Sequence, residues 1–309
     1  MRRRRLASAA AVLTVVLAVA AWVGRDEATG EPEPTGPWTV EVHTGLSAWV
    51  DVYDWTEELT QGAPVFGLEE VDAMAEAGVQ TLYLQTAHTR SSAETVMEEE
   101  QARRLIARAD ERGLQVVAWY LPTLVDVERD LARLEASAAL PVEGLAVDIE
   151  STEVADVAVR NERLLALSAD LRSALGPDRA LAAITPSAVH LDVVNPEFWP
   201  AFPWAQLADT YDALLPMTYW TLRTGELRDA ERYVGDNLSR IRANTGDPHI
   251  PVAPIGGVAD AATTEDLDGM VRAVEGGGGS GGGLYDWAVS SAAQWDALAP
   301  LRDLRQGGG

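Results

Sequence analysis

The chain lacks two of the side chains on which much enzyme chemistry relies. Its 309 residues contain no cysteine, and all 24 basic residues are arginine, so there is no lysine either. Without cysteine there can be no disulfide, thiol nucleophile or zinc–thiolate site. Without lysine there can be no Schiff base and no phosphate-binding P-loop lysine. Several enzyme classes are therefore excluded before any motif is considered.

Positive charge is also scarce. The formal net charge is −24, and because the first five residues include four arginines, the rest of the chain stands at −28. A body this acidic repels nucleic acids and anionic membrane surfaces. A neutral polymer such as a polysaccharide or cell-wall glycan is the partner that this charge favours, although acidity also simply keeps a protein soluble. We predict no nucleic-acid partner.

Histidine is rare and scattered. None of the four histidines forms an H-x-H or H-E-x-x-H pattern, so we predict no metal site and no cofactor. The glycine-rich stretch Gly276–Gly283 has no lysine and precedes an apolar run, so we interpret it as a flexible connection without a chemical role. The histidines are His43, His88, His190 and His249.

The N-terminal segment has the pattern of a signal or anchor. Four arginines at positions 2–5 precede 19 uncharged, mostly apolar residues, Leu6–Gly24. We predict a signal peptide or N-terminal membrane anchor over residues 1–24 and a flexible Pro/Gly/acidic linker over residues 25–37. The arginines favour a cytoplasmic N-terminus. We therefore expect an extracytoplasmic body, secreted or tethered by residues 6–24, that meets the membrane only through this segment.

Beyond the linker, eight apolar runs alternate with amphipathic helix patterns, and the runs start every 29 to 37 residues. This alternation predicts an α/β fold, a single-domain (β/α)8 TIM barrel over residues 38–305, preceded by the N-terminal hydrophobic helix and a disordered linker. An open doubly wound sheet is the alternative, but no glycine fingerprint follows the first run. The predicted strands are Leu46–Val50, Thr81–Gln85, Gln115–Tyr120, Gly144–Ile149, Ala180–Ile184, Ala213–Met217, Ile250–Ile255 and Gly283–Ala288.

Helix ends are predicted from glycine. Gly78, Gly113, Gly176 and Gly246 each follow an amphipathic run, which is the position of a helix C-cap glycine. The predicted helices are Leu68–Ala77, Glu100–Arg112, Asp126–Ala136, Val154–Leu175, Thr224–Thr245 and Thr264–Val274.

The fourth apolar run ends in two carboxylates, Asp148 and Glu150. Side chains two apart on a strand share one face, and the carboxyl ends of barrel strands are where active sites lie. Burial and mutual repulsion should keep one carboxyl protonated near neutrality, as the general acid of a glycosidase requires. The structural alternative is a carboxylate that binds an arginine or a loop N–H.

Spacing limits what this pair can do alone. Residues two apart on a strand lie roughly 6–7 Å from each other, so they cannot flank a sugar from opposite sides. Either the substrate supplies its own nucleophile, or a carboxylate from another strand does. Asp51, Asp54 and Asp286 are the candidates for the second case.

Aromatic residues concentrate at the predicted strand ends. Their flat faces suit the C–H faces of sugar rings, although ordinary packing beneath the loops is the alternative for any one of them. The predicted substrate-binding residues are Trp49, Asp51, Tyr83, Gln85, Trp119, Tyr120, Met217, Trp220, Asp286 and Trp287.

Three segments resemble a known family. Glu143–Glu150 resembles the fourth-strand DGxDxDxE signature of family-18 glycoside hydrolases, the chitinase-like barrels, and Met217–Trp220 resembles their sixth-strand M-x-Y segment. Tyr285–Trp287 sits where that family has its last-strand tryptophan. The resemblance implies that Glu150 is the general acid. It implies that Asp148 orients a substrate acetamido group that serves as nucleophile, that Tyr219 hydrogen-bonds this group, and that Trp287 floors the pocket.

The chain departs from that signature at two positions. Glu143 replaces its first aspartate, and Ala146 replaces the middle aspartate, which in the family shares a proton with the residue that Asp148 matches. The chain also resembles a group of uncharacterised actinobacterial secreted barrels labelled as glycoside hydrolases, and its D-x-E pair is found in family-25 lysozyme-like barrels. Three functions stay open: a glycoside hydrolase, a non-catalytic carbohydrate-binding barrel, and a cell-wall interaction module.

Overall fold

The structure is a computed structural model that describes residues 38–306. Eight parallel strands close into one barrel in sequence order, with β8 paired to β1. This confirms the predicted single-domain (β/α)8 barrel. The strands are β1 (Gly45–Val50), β2 (Thr81–Gln85), β3 (Gln115–Tyr120), β4 (Gly144–Asp148), β5 (Leu181–Pro186), β6 (Ala213–Met217), β7 (Ile255–Val258) and β8 (Gly281–Tyr285).

Helices cover the outside of the barrel. The α-helices are Val52–Trp55, Glu57–Thr60, Leu68–Glu76, Glu99–Glu111, Val127–Ala138, Val157–Leu175, Trp204–Ala208, Ala230–Thr245, Thr264–Gly276, Ala292–Leu298 and Asp303–Gln306. Shorter 3-10 or π turns are Val40–His43, His190–Val194, Trp220–Leu222, Gly225–Arg228, Ala259–Ala261 and Ala299–Arg302.

The strands are apolar on both faces because each face is buried. On β4, Leu145 and Val147 pack outward against the helices, whereas Ala146 packs inward with Val117 and Ile184. A parallel barrel needs this near-continuous apolar composition, since helices cover one face of the sheet and side chains fill the other. The alternation fixes which residues reach the mouth of the barrel.

Glycine ends four of the helices as predicted. The φ angles of Gly78, Gly113, Gly176 and Gly246 lie between 75° and 80°. Only glycine adopts this left-handed conformation without a steric penalty, which is why it marks the position after the last helical turn.

Two helices begin later than predicted. The helix that follows β4 starts at Val157, after the N-cap Asp156. The long helix that follows β6 starts at Ala230, after the N-cap Asp229. Both aspartate side chains accept hydrogen bonds from backbone N–H groups in the first turn. Local capping therefore sets these starts, three and six residues beyond those that periodicity predicted.

Two strand predictions are displaced. β7 begins at Ile255, because Pro251 and Pro254 have no N–H for the ladder; only Val252 bridges to Leu214 before it. β8 begins at Gly281, so part of the stretch interpreted as a flexible connection is strand. Glycine is needed there: a Cβ at Gly283 would collide with the backbone carbonyl of Ser47 on β1.

Two polar side chains fill the amino-terminal end of the barrel. The Arg305 guanidinium donates to the carbonyl of Thr44 and the hydroxyl of Thr81, both at 2.6 Å. The buried His43 Nδ1 lies 2.8 Å from the Tyr83 hydroxyl. Access to the interior is therefore from the opposite, carboxyl-terminal mouth.

The predicted signal or anchor (residues 1–24) and linker (residues 25–37) lie outside the described residues and stay predictions. Across residues 38–306, no helix is long and apolar enough to cross a membrane.

Candidate active site

The two carboxylates of β4 face the barrel mouth. Asp148 is the last residue of the strand and is only 6% exposed, while Glu150 lies two residues further along and is half-buried. Ala146 packs inward, so the period of two places Asp148 and Glu150 on the same inward face. The strand therefore delivers both side chains to one place, as their spacing predicted.

Burial controls the charge of this pair. Desolvation, followed by the charge of Glu150, raises the pKa of Asp148 well above its usual range, and desolvation raises the pKa of Glu150. Asp148 Oδ1 has no hydrogen-bond partner within residues 38–306. No arginine is among the groups that shift either pKa, so the structural alternative of an arginine-bound carboxylate has no support. The pair therefore keeps a proton to higher pH than two exposed carboxyls would.

Tyr219 joins the pair from the end of β6, two strands further round the barrel. It follows β6 by two residues and packs with the barrel interior, on the same inward face as Met217. Desolvation and the charges of Asp148, Glu150 and Asp286 raise its pKa well above the usual value. The three residues predicted to be catalytic, Asp148, Glu150 and Tyr219, thus share one electrostatic environment.

A second carboxylate group lies at the ends of β1 and β8. Oxygens of Asp51, Asp54 and Asp286 all lie within 4.8 Å of one another. The Tyr285 hydroxyl donates to Asp51 Oδ2 at 2.7 Å, and the Tyr285 ring lies 6.2 Å from that of Tyr219. Burial, then the charges of Asp51 and Asp286, raises the pKa of Asp54 to about 7.

The same three carboxylates have the spacing that a hard divalent cation would need. Ca²⁺ and Mg²⁺ bind carboxylate oxygens, but they take six or more oxygen ligands, and protein carboxylates often cluster without a metal. The prediction that the chain has no metal site therefore stays a prediction.

Three of the predicted aromatic residues form a floor beneath the mouth. Trp49 stacks on Tyr83 with ring centroids 4.0 Å apart, and Trp119 meets Trp49 edge-on at 6.0 Å. All three are nearly fully buried in the interior cluster that also contains Ala146. Trp119 is the register partner of Ala146, so the layer where the family signature has its middle aspartate is packed with apolar groups.

Tyr120 and Trp220 face outward, which removes them from the predicted substrate-binding set. The Tyr120 hydroxyl donates to Asp130 Oδ1 at 2.6 Å, and Trp220 is fully buried in the layer between barrel and helices. Each is adjacent in sequence to an inward residue, Trp119 or Tyr219, and adjacent strand residues point to opposite faces.

Trp287 is also displaced from the predicted pocket floor. It lies beyond the end of β8, packs with the outer core, and meets Trp295 at 5.0 Å. Tyr285 takes the inward position at the end of β8. Tyr285 is the last residue of β8, whereas Trp287 lies beyond the strand. The end of the strand is therefore the sequence signal that would have identified Tyr285 as the inward aromatic residue.

Of the remaining predicted residues, Gln85 fixes the loop after β1 and Met217 lies in the barrel interior. Gln85 Oε1 accepts a hydrogen bond from Val52 N at 3.1 Å, which ties the end of β2 to the loop after β1. Met217 is half-buried in the interior.

Tyr53 also lies near the site, although the sequence did not predict it. Its side chain is 45% exposed, and its hydroxyl lies 3.3 Å from His88 Nε2.

The closed parallel barrel, with these carboxylates and a tyrosine at its carboxyl-terminal mouth, defines the class of fold: it is a (β/α)8 TIM barrel. No family model and no curated protein matches the sequence. Solved structures are similar in fold. A chitinase from Chromobacterium violaceum has a TM-score of 0.57 at 10% identity, covering 86% of this chain and 100% of that one.

Two other solved structures have related barrels. The Bacillus cereus spore cortex-lytic enzyme SleL has a TM-score of 0.60 at 8% identity, with 84% of this chain and 74% of that chain covered. An endo-1,4-β-D-mannanase from Thermotoga petrophila has a TM-score of 0.56 at 11% identity, with 79% and 88% covered. Identities this low establish the shared fold alone.

Proposed function

We propose that this protein is an extracytoplasmic glycoside hydrolase that cleaves a neutral or N-acetylated polysaccharide, with Glu150 as the general acid. One observation carries the proposal. Asp148 and Glu150 stand together on the inward face at the end of β4, both with raised pKa values. A carboxyl that stays protonated near neutrality is what protonation of a glycosidic oxygen requires.

Each site residue has a role that follows from its position. Glu150 is half-buried and nearer the mouth, so it is the group that donates its proton to the leaving oxygen. Asp148 is deeper, and its free Oδ1 is available to accept an N–H or O–H of the sugar. Tyr219 keeps its hydroxyl protonated because its pKa is raised, so it can donate a hydrogen bond to the substrate.

Two further observations support a polysaccharide substrate. The structures with related barrels include a chitinase, a spore cortex-lytic enzyme and a mannanase. The net charge of −24 favours a neutral polymer over an anionic one.

The location of the protein belongs to the proposal. The arginine-flanked apolar run Leu6–Gly24 would direct the barrel out of the cytoplasm and, if uncleaved, tether it to the membrane. A C-terminal alkaline phosphatase fusion tests this: phosphatase activity is expected in whole cells, and its absence there would exclude export.

A second function is a non-catalytic carbohydrate-binding or cell-wall interaction barrel. Ala146 favours it, because this fully buried residue stands where the resembling family has a carboxylate. In that case the mouth binds glycan without cleaving it.

Hydrolysis of defined glycans separates the two functions. The full-length protein is incubated with oligosaccharides of chitin, peptidoglycan, and α- and β-glucan, beside the Glu150→Gln variant. We expect wild-type cleavage and a loss of about 10²–10⁴-fold in kcat for the variant, the usual contribution of a general acid. Glu153→Gln is the matched control because Glu153 is exposed three residues away. Equal rates for the wild type and Glu150→Gln would refute the assignment, and binding without cleavage would establish the second function.

A further inference from the structure

A polar group lies on the rim of the barrel mouth, beside the ends of β1 and β2. Tyr53 lies in the short helix that follows β1, and His88 and Arg90 lie in the loop that follows β2. The Tyr53 hydroxyl is 3.3 Å from His88 Nε2 and 3.5 Å from Arg90 Nη1, and the Tyr53 and His88 rings meet edge-on with centroids 5.5 Å apart. We call these three residues the rim group. It stands at the carboxyl-terminal face, where barrels of this kind bind their substrates.

A series of contacts joins the rim group to the candidate active site. Tyr53 N donates to Asp51 Oδ1, and the Tyr285 hydroxyl donates to Asp51 Oδ2, both at 2.7 Å. The Tyr285 ring lies 6.2 Å from that of Tyr219, whose pKa responds to Asp148 and Glu150. The rim group therefore belongs to the same mouth as the proposed catalytic residues.

The hydrogen bonds of His88 determine which atoms of the rim group donate. The backbone N–H of Arg90 donates to His88 Nδ1 at 3.1 Å, so Nδ1 is the unprotonated ring nitrogen. Burial, then the charges of Arg90 and Arg133, lowers the pKa of His88, so the ring is neutral near neutrality and carries its proton on Nε2. This Nε2–H donates to the Tyr53 oxygen, which also faces Arg90 Nη1. The Tyr53 O–H proton is therefore left for a ligand.

Arg90 adds a positive charge to this edge of the mouth. Its side chain is exposed, and within residues 38–306 its guanidinium forms no ion pair and contacts only the Tyr53 hydroxyl. The nearby Asp51 carboxylate is not its partner, because both Asp51 oxygens already accept hydrogen bonds from Tyr53 N and Tyr285. The rim group thus offers two donors to a ligand, the Tyr53 O–H and the Arg90 guanidinium.

An edge made of donors, one of them charged, is complementary to a group that only accepts. A carboxylate has two acceptor oxygens and no donor, and the guanidinium matches it in charge and in geometry. A sugar hydroxyl or an acetamido carbonyl is neutral and leaves the arginine charge uncompensated. The carboxylates of Asp51, Asp54 and Asp286 in the same mouth would repel a glycan charged on every sugar. One carboxylate in each repeat fits both conditions.

We propose that the rim group is a subsite for a carboxylate carried by one sugar in each repeat of an N-acetylated glycan; this inference rests on the proposed function. Arg90 binds the carboxylate through its guanidinium, and Tyr53 donates its O–H to one of the oxygens. His88 is a positioning residue, because it holds the Tyr53 oxygen and leaves the phenol proton for the ligand. Two kinds of sugar supply such a carboxylate: a muramic sugar through its lactyl ether, and a uronic sugar through C6.

Equilibrium binding to matched tetrasaccharides tests the subsite. The full-length Glu150→Gln protein, chosen to prevent cleavage, is titrated by calorimetry with a GlcNAc–MurNAc tetrasaccharide, a hyaluronan tetrasaccharide of GlcNAc and glucuronic acid, and chitotetraose, which has no carboxylate. We expect a carboxylated tetrasaccharide to bind more tightly than chitotetraose, and the one that does so identifies the source of the carboxylate. Adding Arg90→Gln should raise its dissociation constant about tenfold, the effect of one charge-assisted hydrogen bond, and should leave that of chitotetraose unchanged.

Two further variants complete the test. Arg104→Gln is the matched control, because Arg104 is also exposed and forms no ion pair within residues 38–306, but it lies on the helix Glu99–Glu111; it should change none of the dissociation constants. Tyr53→Phe should weaken binding of the carboxylated tetrasaccharide several-fold with an unchanged melting temperature, because only the donor is lost.

Each outcome decides either this inference or the proposed function. Chitotetraose binding as tightly as both carboxylated tetrasaccharides would overturn the subsite. So would an Arg90→Gln variant that weakens all three ligands equally or none of them. A wild-type protein that cleaves no glycan would refute the hydrolase instead, and the dissociation constants would still report on the subsite.

Discussion

At the scale of single residues, the charge state of the β4 carboxylates determines what the site can do. Burial disfavours the ionised form of both Asp148 and Glu150, and the charge of Glu150 adds to the effect on Asp148. The proton shared by the pair is therefore lost at a higher pH than that of an exposed carboxyl. Activity that depends on a protonated Glu150 should fall as pH rises through this raised pKa.

Replacing Asp148 by asparagine should shift that fall. Asp148→Asn keeps the size of the side chain but removes the neighbouring negative charge, so the pKa of Glu150 should drop. The alkaline limb of kcat/KM against pH is expected to move to lower pH than in the wild type, measured on any glycan that the protein cleaves. An alkaline limb that stays in place would show that the two carboxyls do not share a proton.

Asp54 should lower stability at neutral and alkaline pH. Its folded-state pKa is raised from 3.8 to about 7, so folding disfavours its ionised form. The contribution of Asp54 to the free energy of unfolding should therefore be greatest below about pH 4 and decline as pH rises to about 7. Since each pKa unit corresponds to about 1.36 kcal/mol, the ceiling of this effect is roughly 4 kcal/mol.

The variant Asp54→Asn measures this effect. Its amide oxygen can still accept from Asp51 N, so the capping geometry is kept. The variant should melt at a higher temperature than the wild type at pH 8 and at nearly the same temperature at pH 4. The exposed control Asp260→Asn should change neither value. A variant that is destabilised at pH 8 would mean that the Asp54 charge has a partner that this account lacks.

At the scale of elements, closure of the barrel depends on glycine in β8. A Cβ at Gly283 would overlap the backbone of Ser47, since the two strands pair in register at this point. Gly283→Ala should lower the free energy of unfolding by about 1–3 kcal/mol, the usual cost of overpacking. Gly235 in the helix Ala230–Thr245 is the matched control, because a Cβ there meets nothing within 4 Å.

Chemical denaturation of the two variants checks the prediction. Gly235→Ala should leave stability unchanged or raise it by up to about 1 kcal/mol, because alanine is the better helix former. The same substitution should thus have opposite effects at the two positions. If Gly283→Ala is as stable as the wild type, close approach of β8 to β1 is not what requires glycine.

The elements also show how far the sequence alone reaches. Repeated apolar runs and C-cap glycines were enough for the barrel, because both report local rules of helix and strand formation. Strand ends near Pro254 and Gly281 were misplaced, since backbone pairing there depends on the neighbouring strand.

For the candidate site, the period of two placed Asp148 and Glu150 on one face. The same period, applied to Trp119 and Tyr219, would have excluded their sequence neighbours Tyr120 and Trp220. The Asp51–Asp286 group arises only when β8 meets β1.

At the scale of the whole molecule, the charge and the fold point to the same kind of partner. The net charge of −24 disfavours polyanions, and the mouth of the barrel contains acidic and aromatic side chains with no lysine anywhere in the chain. Neutral glycans are not repelled by this negative charge, and they need no basic side chain in order to bind. The related barrels of known structure support the fold alone, and the proposed glycoside hydrolysis depends on Glu150.

The central claim is that Glu150 gives a proton to the leaving group, and leaving-group dependence tests it most directly. A 2,4-dinitrophenyl glycoside needs no such proton, whereas an oligosaccharide does. For Glu150→Gln, the account predicts a loss of about 10²–10⁴-fold in kcat/KM on the oligosaccharide and a loss of less than about tenfold on the activated glycoside of the same sugar. Equal losses on both substrates, or no loss on the oligosaccharide, would contradict it.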